Sequence, residues 1–281
     1  MLNSLSYRCT SRQFLIVASV FLSLSASAQT RKEYRYTVRP KPVVTITNSY
    51  GAITVQPSGT NQVVVTTISY SDDISFLNEQ AGNRIELHVE SKRGGTGLGD
   101  YLVLVPADSN VSLRSSAGKL HAESMRGDVM FEATMATVEA TKMRSAHIYV
   151  KTLSGPVVLS DIRDSRLNVQ SVSGNINMDH VAESAVEAHS GSGAIKYEGD
   201  PGVDGDYVIS SHSGDLEVTI PASAPVDIRT HSVNGTSDQA DSAFRGAPTQ
   251  GQKNLFVKPG MVRASRFVLR SFKGSIRLKR P

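Results

Sequence analysis

The sequence predicts an all-β protein: a single-domain β-solenoid (β-helix) built from coils of roughly 19–21 residues, with an N-terminal β cap. Three observations support this prediction. Gly155, Gly174 and Gly193 follow one another at intervals of 19 residues. Apolar and polar residues alternate on both sides of each glycine, which is the period of a strand with one buried face. A hydroxyl side chain precedes most of these glycines by three positions. We expect about seven to nine coils.

The first element, residues 1–28, is predicted to be a signal peptide. Arg8 and Arg12 precede an apolar run at 14–24, and the small residues 26–28 form a cleavage site. The run is too short to span a membrane. We therefore expect an exported protein, periplasmic or at the cell surface, with no integral membrane span after signal removal.

The composition disfavours several classes of function. The predicted mature chain carries 28 basic and 26 acidic residues, because the signal contains two of the 30 basic ones; this balance indicates no nucleic-acid partner. Cys9 is the only cysteine and lies in the signal, so disulfides and cysteine-based sites are not expected. Tryptophan is absent, which disfavours aromatic platforms for sugars, although nine tyrosines remain.

Residues 29–106 are predicted to form the N-terminal β segment and cap. The first glycine-centred pair of strands surrounds Gly51, at 43–56. The strands predicted after it are 63–69, 84–90 and 101–105. A cap is expected because a bare terminal coil would expose an unpaired strand edge.

Residues 107–281 are predicted to hold the solenoid repeats, interrupted by a surface loop at 240–262 that is rich in Gly, Pro and Gln. The coil glycines are Gly118, Gly155, Gly174, Gly193, Gly214, Gly235 and Gly274. Ala136 replaces one glycine, and polar Ser237 and Gln239 occupy inward positions, so these two coils should be the least regular. The charged last strands, 266–280, are expected to close the far end.

The hydroxyl side chains should form a ladder beside the apolar ones, since equivalent residues of stacked coils lie about 4.8 Å apart. They are Ser115, Thr152, Ser171, Ser190, Ser211, Ser232 and Ser271. One interpretation is a row of ligand-binding hydroxyls. The favoured one is hydrogen bonding of small side chains to the backbone at a corner.

Two groups of residues raise a metal hypothesis. His189, His212 and His231 lie in successive coils, but His212 is two residues before its glycine and the others are four, which disfavours a shared metal. The aspartates of the 200–206 loop could wrap a calcium ion with oxygen ligands. The candidates are Asp200, Asp204 and Asp206. A plain turn is favoured, since Asp and Gly prefer turns, and no metal site or cofactor is predicted.

A polysaccharide-acting β-helix enzyme, a lyase or a hydrolase, is the alternative in another functional class. It would need carboxylates gathered on one outer face. The candidate corner residues are Asp161, Arg163, Asp164, Arg166, Asp179 and His180. Their alternating charge is typical of a solvated rim, and no nucleophile or phosphate-loop motif occurs. We predict that the protein is not an enzyme, with no catalytic residue assigned.

Repeated short units link the chain to a known family. The run 102–106 (LVLVP) leads into VSLRSSAG, and Ser-Gly units recur throughout the coils. They are Ser154-Gly155, Ser173-Gly174, Ser192-Gly193 and Ser213-Gly214-Asp215-Leu216. Over residues 40–280 the chain resembles the bacterial "putative adhesin" family with β-strand repeats. The resemblance implies a β-solenoid in an exported or envelope-associated protein and supplies no catalytic residues.

Together these observations predict an exported, non-enzymatic, adhesin-like or scaffolding β-solenoid. Its polar face would meet a cell-envelope protein or polysaccharide whose identity stays open. Two alternatives remain: the polysaccharide-acting enzyme, and a periplasmic partner in an envelope stress-sensing system.

Overall fold

A computed structural model of the chain describes residues 30–91, 98–182, 184–239 and 264–280. These residues contain 21 strands and no helix. A membrane-spanning helix is therefore not found among them. The predicted signal at 1–28 and the predicted loop at 240–262 lie outside the described residues. The all-β prediction is confirmed.

The strands of the N-terminal third are β1 (Thr30–Thr37), β2 (Val43–Ser58), β3 (Gln62–Ser69), β4 (Ile74–Ala81), β5 (Arg84–Ser91) and β6 (Gly99–Pro106). Those of the central coils are β7 (Asn110–Glu123), β8 (Asp128–Ala133), β9 (Thr137–Thr141), β10 (His147–Thr152), β11 (Val157–Arg163), β12 (Arg166–Ser171) and β13 (Ile176–Ala182). The remaining strands are β14 (Ala185–Ser190), β15 (Ile195–Glu198), β16 (Asp206–Ser211), β17 (Leu216–Thr219), β18 (Val226–Ser232), β19 (Ser237–Gln239), β20 (Ser265–Ser271) and β21 (Ile276–Lys279).

Equivalent residues of successive coils lie in register, as the period of 19 predicts. Val157 pairs with Ile176, and Ile176 pairs with Ile195, in parallel strands. All three side chains are at most 1% exposed. One core therefore runs along the stack, and each coil buries its apolar residues against both of its neighbours.

The coils form two facing sheets, because each coil has one strand before its glycine and one after it. In space, the first sheet has the order β4–β5–β2–β7–β8–β10–β12–β14–β16–β20–β18. The second has the order β1–β3–β6–β2–β7–β9–β11–β13–β15–β17–β21–β19. Strands β2 and β7 belong to both sheets because they continue through the glycine corner.

The last coil does not close the far end, so that expectation was wrong. Strand β20 lies between β16 and β18, and β21 lies between β17 and β19. The coil at 226–239 is the terminal one instead. The apolar pattern explains this order. The β20/β21 coil buries four large apolar side chains and needs cover on both sides. Those four are Phe267, Leu269, Ile276 and Leu278. In the 226–239 coil, Ile228 is the only apolar residue buried among the described side chains, and it is still 8% exposed.

The N-terminal end has the same kind of insertion. Strand β2 lies between β7 on one side and β5 and β6 on the other. Beyond them, β4 pairs antiparallel with β5, and β1 and β3 extend β6 in antiparallel pairs. The first and the last coil in the sequence are thus both interior in space. The division of the chain at residue 106 stays a prediction.

The coil glycines form a spine in which backbone packs directly on backbone. A Cβ added at Gly174 would lie 2.1 Å from the carbonyl oxygen of Gly155, and one added at Gly193 would lie 2.2 Å from that of Gly174. Gly51 and Gly118 have φ of 116° and 113°, whereas the later corner glycines have no positive φ. Ala136, fully buried, stands where the corner conformation changes.

Replacing Gly174 with alanine should lower the free energy of unfolding by about 1–3 kcal/mol, because the methyl group overlaps a fixed backbone carbonyl. The matched control is Gly59→Ala, since a Cβ there meets nothing within 4 Å. Urea unfolding of both variants measures the difference. Equal stability of the two variants would contradict the spine.

The inserted coil should also be visible in native-state hydrogen exchange. We expect the amides of β20 to exchange more slowly than those of β18, because β20 has a strand on both sides and β18 has one on a single side among the described residues. Faster exchange in β20 than in β18 would indicate that the coils stack in sequence order.

Candidate binding groove at the glycine corner

A groove follows the glycine corner along the stack axis, and we call it the corner groove. Its volume is about 440 Å³, and it crosses the coils that contain β2, β7, β8 and β10. The residues that line it lie four, three and two positions before the corner residue of each coil. They are Thr47, Asn48 and Ser49; Arg114, Ser115 and Ser116; Glu132, Ala133 and Thr134; Lys151, Thr152 and Leu153; and Val172 from the next coil.

Side-chain size produces the groove. One wall carries the long side chains of Arg114, Glu132 and Lys151, which point outward four residues before the corner. The opposite wall begins with small residues, Ser116 and Thr134, two positions before the corner. Since the residues between them point inward in a strand, the space between the walls is open. Four coils at about 4.8 Å spacing give the groove a length suited to a chain-like ligand.

Two members of the hydroxyl ladder, Ser115 and Thr152, lie on the floor of the groove with Asn48 and Ala133. Most hydroxyls of the ladder, in the groove and beyond it, bond to the corner backbone. The Gly155 amide donates to Thr152 Oγ1 at 3.1 Å, and the Gly214 amide donates to Ser211 Oγ at 2.8 Å. Ser171 Oγ donates to the Gly174 carbonyl at 2.8 Å. These contacts support the corner interpretation where they occur, whereas the buried hydroxyls of Ser190 and Ser271 have no hydrogen-bond partner among the described residues.

The charges of the corner groove are unequal. Arg114 Nε lies 2.7 Å from Glu132 Oε2, so these two groups neutralise each other. Lys151 makes no ion pair with any residue in the described part of the chain, and its ammonium is available for an anion. Leu153 and Val172, 51% and 56% exposed, give the groove an apolar end. It therefore offers one free cation, several hydroxyls and one apolar contact.

The predicted calcium candidates serve a turn. Asp200 Oδ1 accepts a hydrogen bond from the Gly202 amide at 3.0 Å. Arg266 donates two hydrogen bonds to Asp206, from Nε to Oδ1 at 3.0 Å and from Nη2 to Oδ2 at 2.8 Å. This hydrogen bonding raises the pKa of Arg266. Asp204 adopts φ of 62°. Within the described ranges no three His, Cys, Asp or Glu residues are placed to hold a metal ion, so the calcium interpretation gains no support.

The three histidines of the metal hypothesis have separate surroundings. His189 contacts Ser210 and lies 3.0 Å from Glu187 Oε1. His212 stacks on Phe272 with ring centroids 4.9 Å apart. Because the β20/β21 coil is inserted, the coils of His189 and His231 are separated by two coils, where the sequence order predicts one.

The carboxylates proposed for an enzyme lie at a second corner of the coil. Asp161 and His180 have positive φ, of 54° and 52°. The equivalent residues of the two preceding coils, Lys142 and Ser124, also have positive φ, of 54° and 57°. The residue after each of them is buried: Met125, Met143, Ile162 and Val181. Asp164 also has a positive φ, of 50°. A left-handed residue lets the chain turn inward, so these positions have a structural role.

A cluster of charged residues occupies the outer face of the second sheet. Lys142 Nζ donates to Glu123 Oε1 at 2.8 Å, and Gln56 Nε2 donates to Glu123 Oε2 at 3.4 Å. The hydrogen bond from Lys142 is the main reason that the pKa of Glu123 is lowered, and burial opposes it. Nearby, Glu139 lies 2.7 Å from Lys119 Nζ. This cluster lies outside the corner groove.

The corner groove was missed by the sequence reasoning. A column comparison of the aligned coils could have found it. The column two residues before the glycine changes from Ser and Thr to Leu153 and Val172, while long charged residues occupy the column four before it. The alternation of apolar and polar residues identified the inward positions only, so it gave no reason to compare these outward columns.

A family model described as Toastrack DUF4097 matches residues 43–255, and the curated proteins give no match. A "putative cell adhesion protein" from Clostridium sporogenes is similar with 12% identity and a TM-score of 0.25, covering 90% of this chain and 100% of that one. A "putative adhesin" from Bacteroides fragilis is similar with 11% identity and a TM-score of 0.45, covering 89% and 97%. The family match confirms the resemblance based on the Ser-Gly units.

Lys142→Met should raise the pKa of Glu123 toward its ordinary value, because it removes the main hydrogen bond to that carboxylate. The Glu123 pKa is lower in the folded than in the unfolded chain. Its contribution to stability is therefore present above the unfolded-state pKa and is lost as the pH falls through the folded-state value. Titration of the Glu123 side-chain carbon by NMR measures the shift. Lys151→Met is the control and should leave Glu123 unchanged; an unshifted Glu123 pKa in Lys142→Met would contradict the assignment.

Proposed function

We propose that this chain, which belongs to the Toastrack DUF4097 family, is an exported, non-enzymatic, adhesin-like scaffold whose corner groove binds a cell-envelope polymer. The observation that carries the proposal is the course of the groove. It runs along the stack axis across four coils, so it suits an extended chain better than a compact ligand.

The lining favours an acidic polysaccharide over a protein segment. Hydroxyls of Ser116 and Thr134 suit the hydroxyls of a sugar chain, and Lys151, which has no ion pair among the described residues, suits a carboxylate or phosphate group on it. Leu153 and Val172 offer only a small apolar contact. A peptide partner would gain most from deep apolar pockets, and the polar residues of the floor, Asn48, Ser115 and Thr152, are already bonded to the backbone.

A rigid scaffold supports a binding role. The corner that carries the groove is held by parallel strand pairing on both sides and by glycine contacts that leave no room for adjustment. Side chains on such a framework keep fixed spacings, so successive units of a polymer can meet equivalent contacts. Export is supported by the sequence of residues 1–28.

The proposal predicts that Lys151→Glu weakens retention of the mature chain on an acidic envelope polysaccharide. A contact between exposed charges contributes about 1 kcal/mol, so the Kd should rise roughly five-fold. Lys196→Glu makes the same charge change on the outer face of the other sheet, and it should bind like the unmodified chain. Retention is measured by co-sedimentation at low and at physiological salt.

Other outcomes of the same experiment would favour the alternatives. Release of soluble oligosaccharides would indicate a polysaccharide-acting enzyme. No retention on any polysaccharide, together with capture of a membrane protein from the native envelope, would favour a partner in a stress-sensing system. Equal retention of Lys151→Glu and Lys196→Glu would remove the corner groove from the proposal.

A further inference from the structure

The far end of the stack presents an unpaired strand edge. In the described part of the chain, β18 pairs with β20 on one side and with no strand on the other. The pairing with β20 continues without interruption through every residue of β18, so the strand contains no bulge. We call the unpaired side of β18 the terminal edge. It shares no residue with the corner groove.

Backbone hydrogen bonds show which groups of β18 point to the terminal edge. The carbonyl of Pro225 accepts a hydrogen bond from β20 at 2.9 Å, and the amide of Val233 donates one to β20 at 3.2 Å. Backbone groups point to alternate sides along a strand. Val226, Ile228 and Thr230 therefore direct their amides and carbonyls away from β20, to the open side. A row of this kind is a template for pairing with another strand.

The inner face of β18 is incompletely covered. Tyr207 and Phe267, the equivalents of Ile228 in the two neighbouring coils, are fully buried, whereas Ile228 is 8% exposed. Val226 and Thr230 lie on the same inner face and are half-buried. One more strand beside β18 would bring Ile228 to the burial of its equivalents.

The terminal edge lacks a common form of edge protection. An inward-pointing charge prevents an edge strand from accepting a partner. Strand β1, at the other end of the stack, has one, because Lys32 lies in the same row as Thr67, which is 1% exposed. The inner positions of β18 hold Val, Ile, Thr and Ser. The two ends of the stack therefore differ, and only the terminal edge suits strand pairing in this respect.

The outer face of β18 carries charges of both signs. Asp206, Arg266 and Asp227 follow one another in one column, and Arg266 donates to Asp206 at 3.0 and 2.8 Å. This alternating column ends in the carboxylate of Asp227. Arg229 lies in the next outward column, beside the uncharged Val268, and lies 3.4 Å from Asp227 of its own strand. A partner strand would match both columns if it placed an arginine next to Asp227 and a carboxylate next to Arg229.

We propose that the terminal edge pairs antiparallel with the terminal edge of a second copy of this chain, giving a two-fold symmetric dimer. In the register centred on Ile228, this residue faces its own equivalent. Asp227 of each copy then faces Arg229 of the other, and Val226 faces Thr230. The residues whose backbone groups point to the open side thus form the hydrogen-bonded pairs of an antiparallel ladder.

The neighbouring registers are disfavoured by charge. A shift of the pairing that keeps the inner residues inward brings Arg229 opposite Arg229 in one direction and Asp227 opposite Asp227 in the other. Like charges directly opposite each other destabilise a sheet. A second copy is favoured over an unrelated strand because β18 is complementary to itself in hydrogen bonding and in charge. The contact uses the same edge of both copies, so the assembly closes at two chains.

Sedimentation of the mature chain over a range of concentrations tests the dimer. We expect a monomer–dimer equilibrium that added salt weakens. Asp227→Arg and Arg229→Asp should each raise the dimer Kd roughly ten-fold, because each variant faces itself with like charges. Arg166→Asp is the control. It changes the same column in an interior coil and should dimerise like the unmodified chain.

A mixture of the two edge variants separates charge repulsion from misfolding. In a heterodimer of Asp227→Arg and Arg229→Asp, each arginine faces an aspartate again. The mixture should therefore associate about as tightly as the unmodified chain, although neither variant does so alone. Circular dichroism verifies that each variant is folded.

Introduced cysteines report on the register, because the predicted mature chain contains none. Ile228→Cys should form a disulfide between two copies under mild oxidation, since this residue faces itself. Thr230→Cys also points inward, but it faces Val226 and should not form one. The amide of Ile228 should exchange rapidly in dilute protein and slowly once the dimer forms.

The proposal would be overturned by a monomer at every concentration, by no association in the mixture of edge variants, or by equal crosslinking of Ile228→Cys and Thr230→Cys. Slow exchange of the Ile228 amide in a monomer would also overturn it, because another segment of the same chain would then cover the edge. Lys151→Glu should leave the dimer intact, so this proposal and the one for the corner groove fail separately.

Discussion

The close approach of backbone to backbone at the glycine corners is the constraint on which the rest of the structure depends. With no side chain at these positions, the carbonyl of one coil lies where a Cβ of the next would be, as between Gly155 and Gly174. This contact holds successive coils in one register. The buried apolar ladders and the fixed outer columns of side chains both follow from that register.

Much of this arrangement could be predicted from the sequence, because strand parity is a local property. The alternation around Gly174 and Gly193 was enough to place Ile176 and Ile195 inside the stack and above one another. Most of the hydroxyl ladder was also interpreted correctly, since a small polar residue three positions before a tight corner has backbone groups within reach; Ser190 and Ser271 are the exceptions among the described residues. The sparse apolar content around Gly235 was noticed, and it matches the terminal position of that coil.

The order of the coils could not be predicted in the same way. The alternation of apolar and polar residues shows which face of a strand is buried, but it does not show which coil lies next to that strand. The apolar pattern that includes Phe267 and Leu269 would be the same in a terminal coil and in an interior one. The corner groove was missed for a related reason. Lys151 and Leu153 belong to outward columns, and the alternation of apolar and polar residues gives no reason to compare such columns between coils.

The inserted β20/β21 coil makes the position of an earlier segment of the chain depend on a later one. In the described part of the chain, β18 and β19 do not pair with β16 and β17, because β20 and β21 lie between them. A chain that emerges from its N-terminus therefore cannot seat residues 226–239 until residues 265–279 have also arrived. The apolar face that β16 and β17 present to this end of the stack therefore stays uncovered until residues 265–279 have been made.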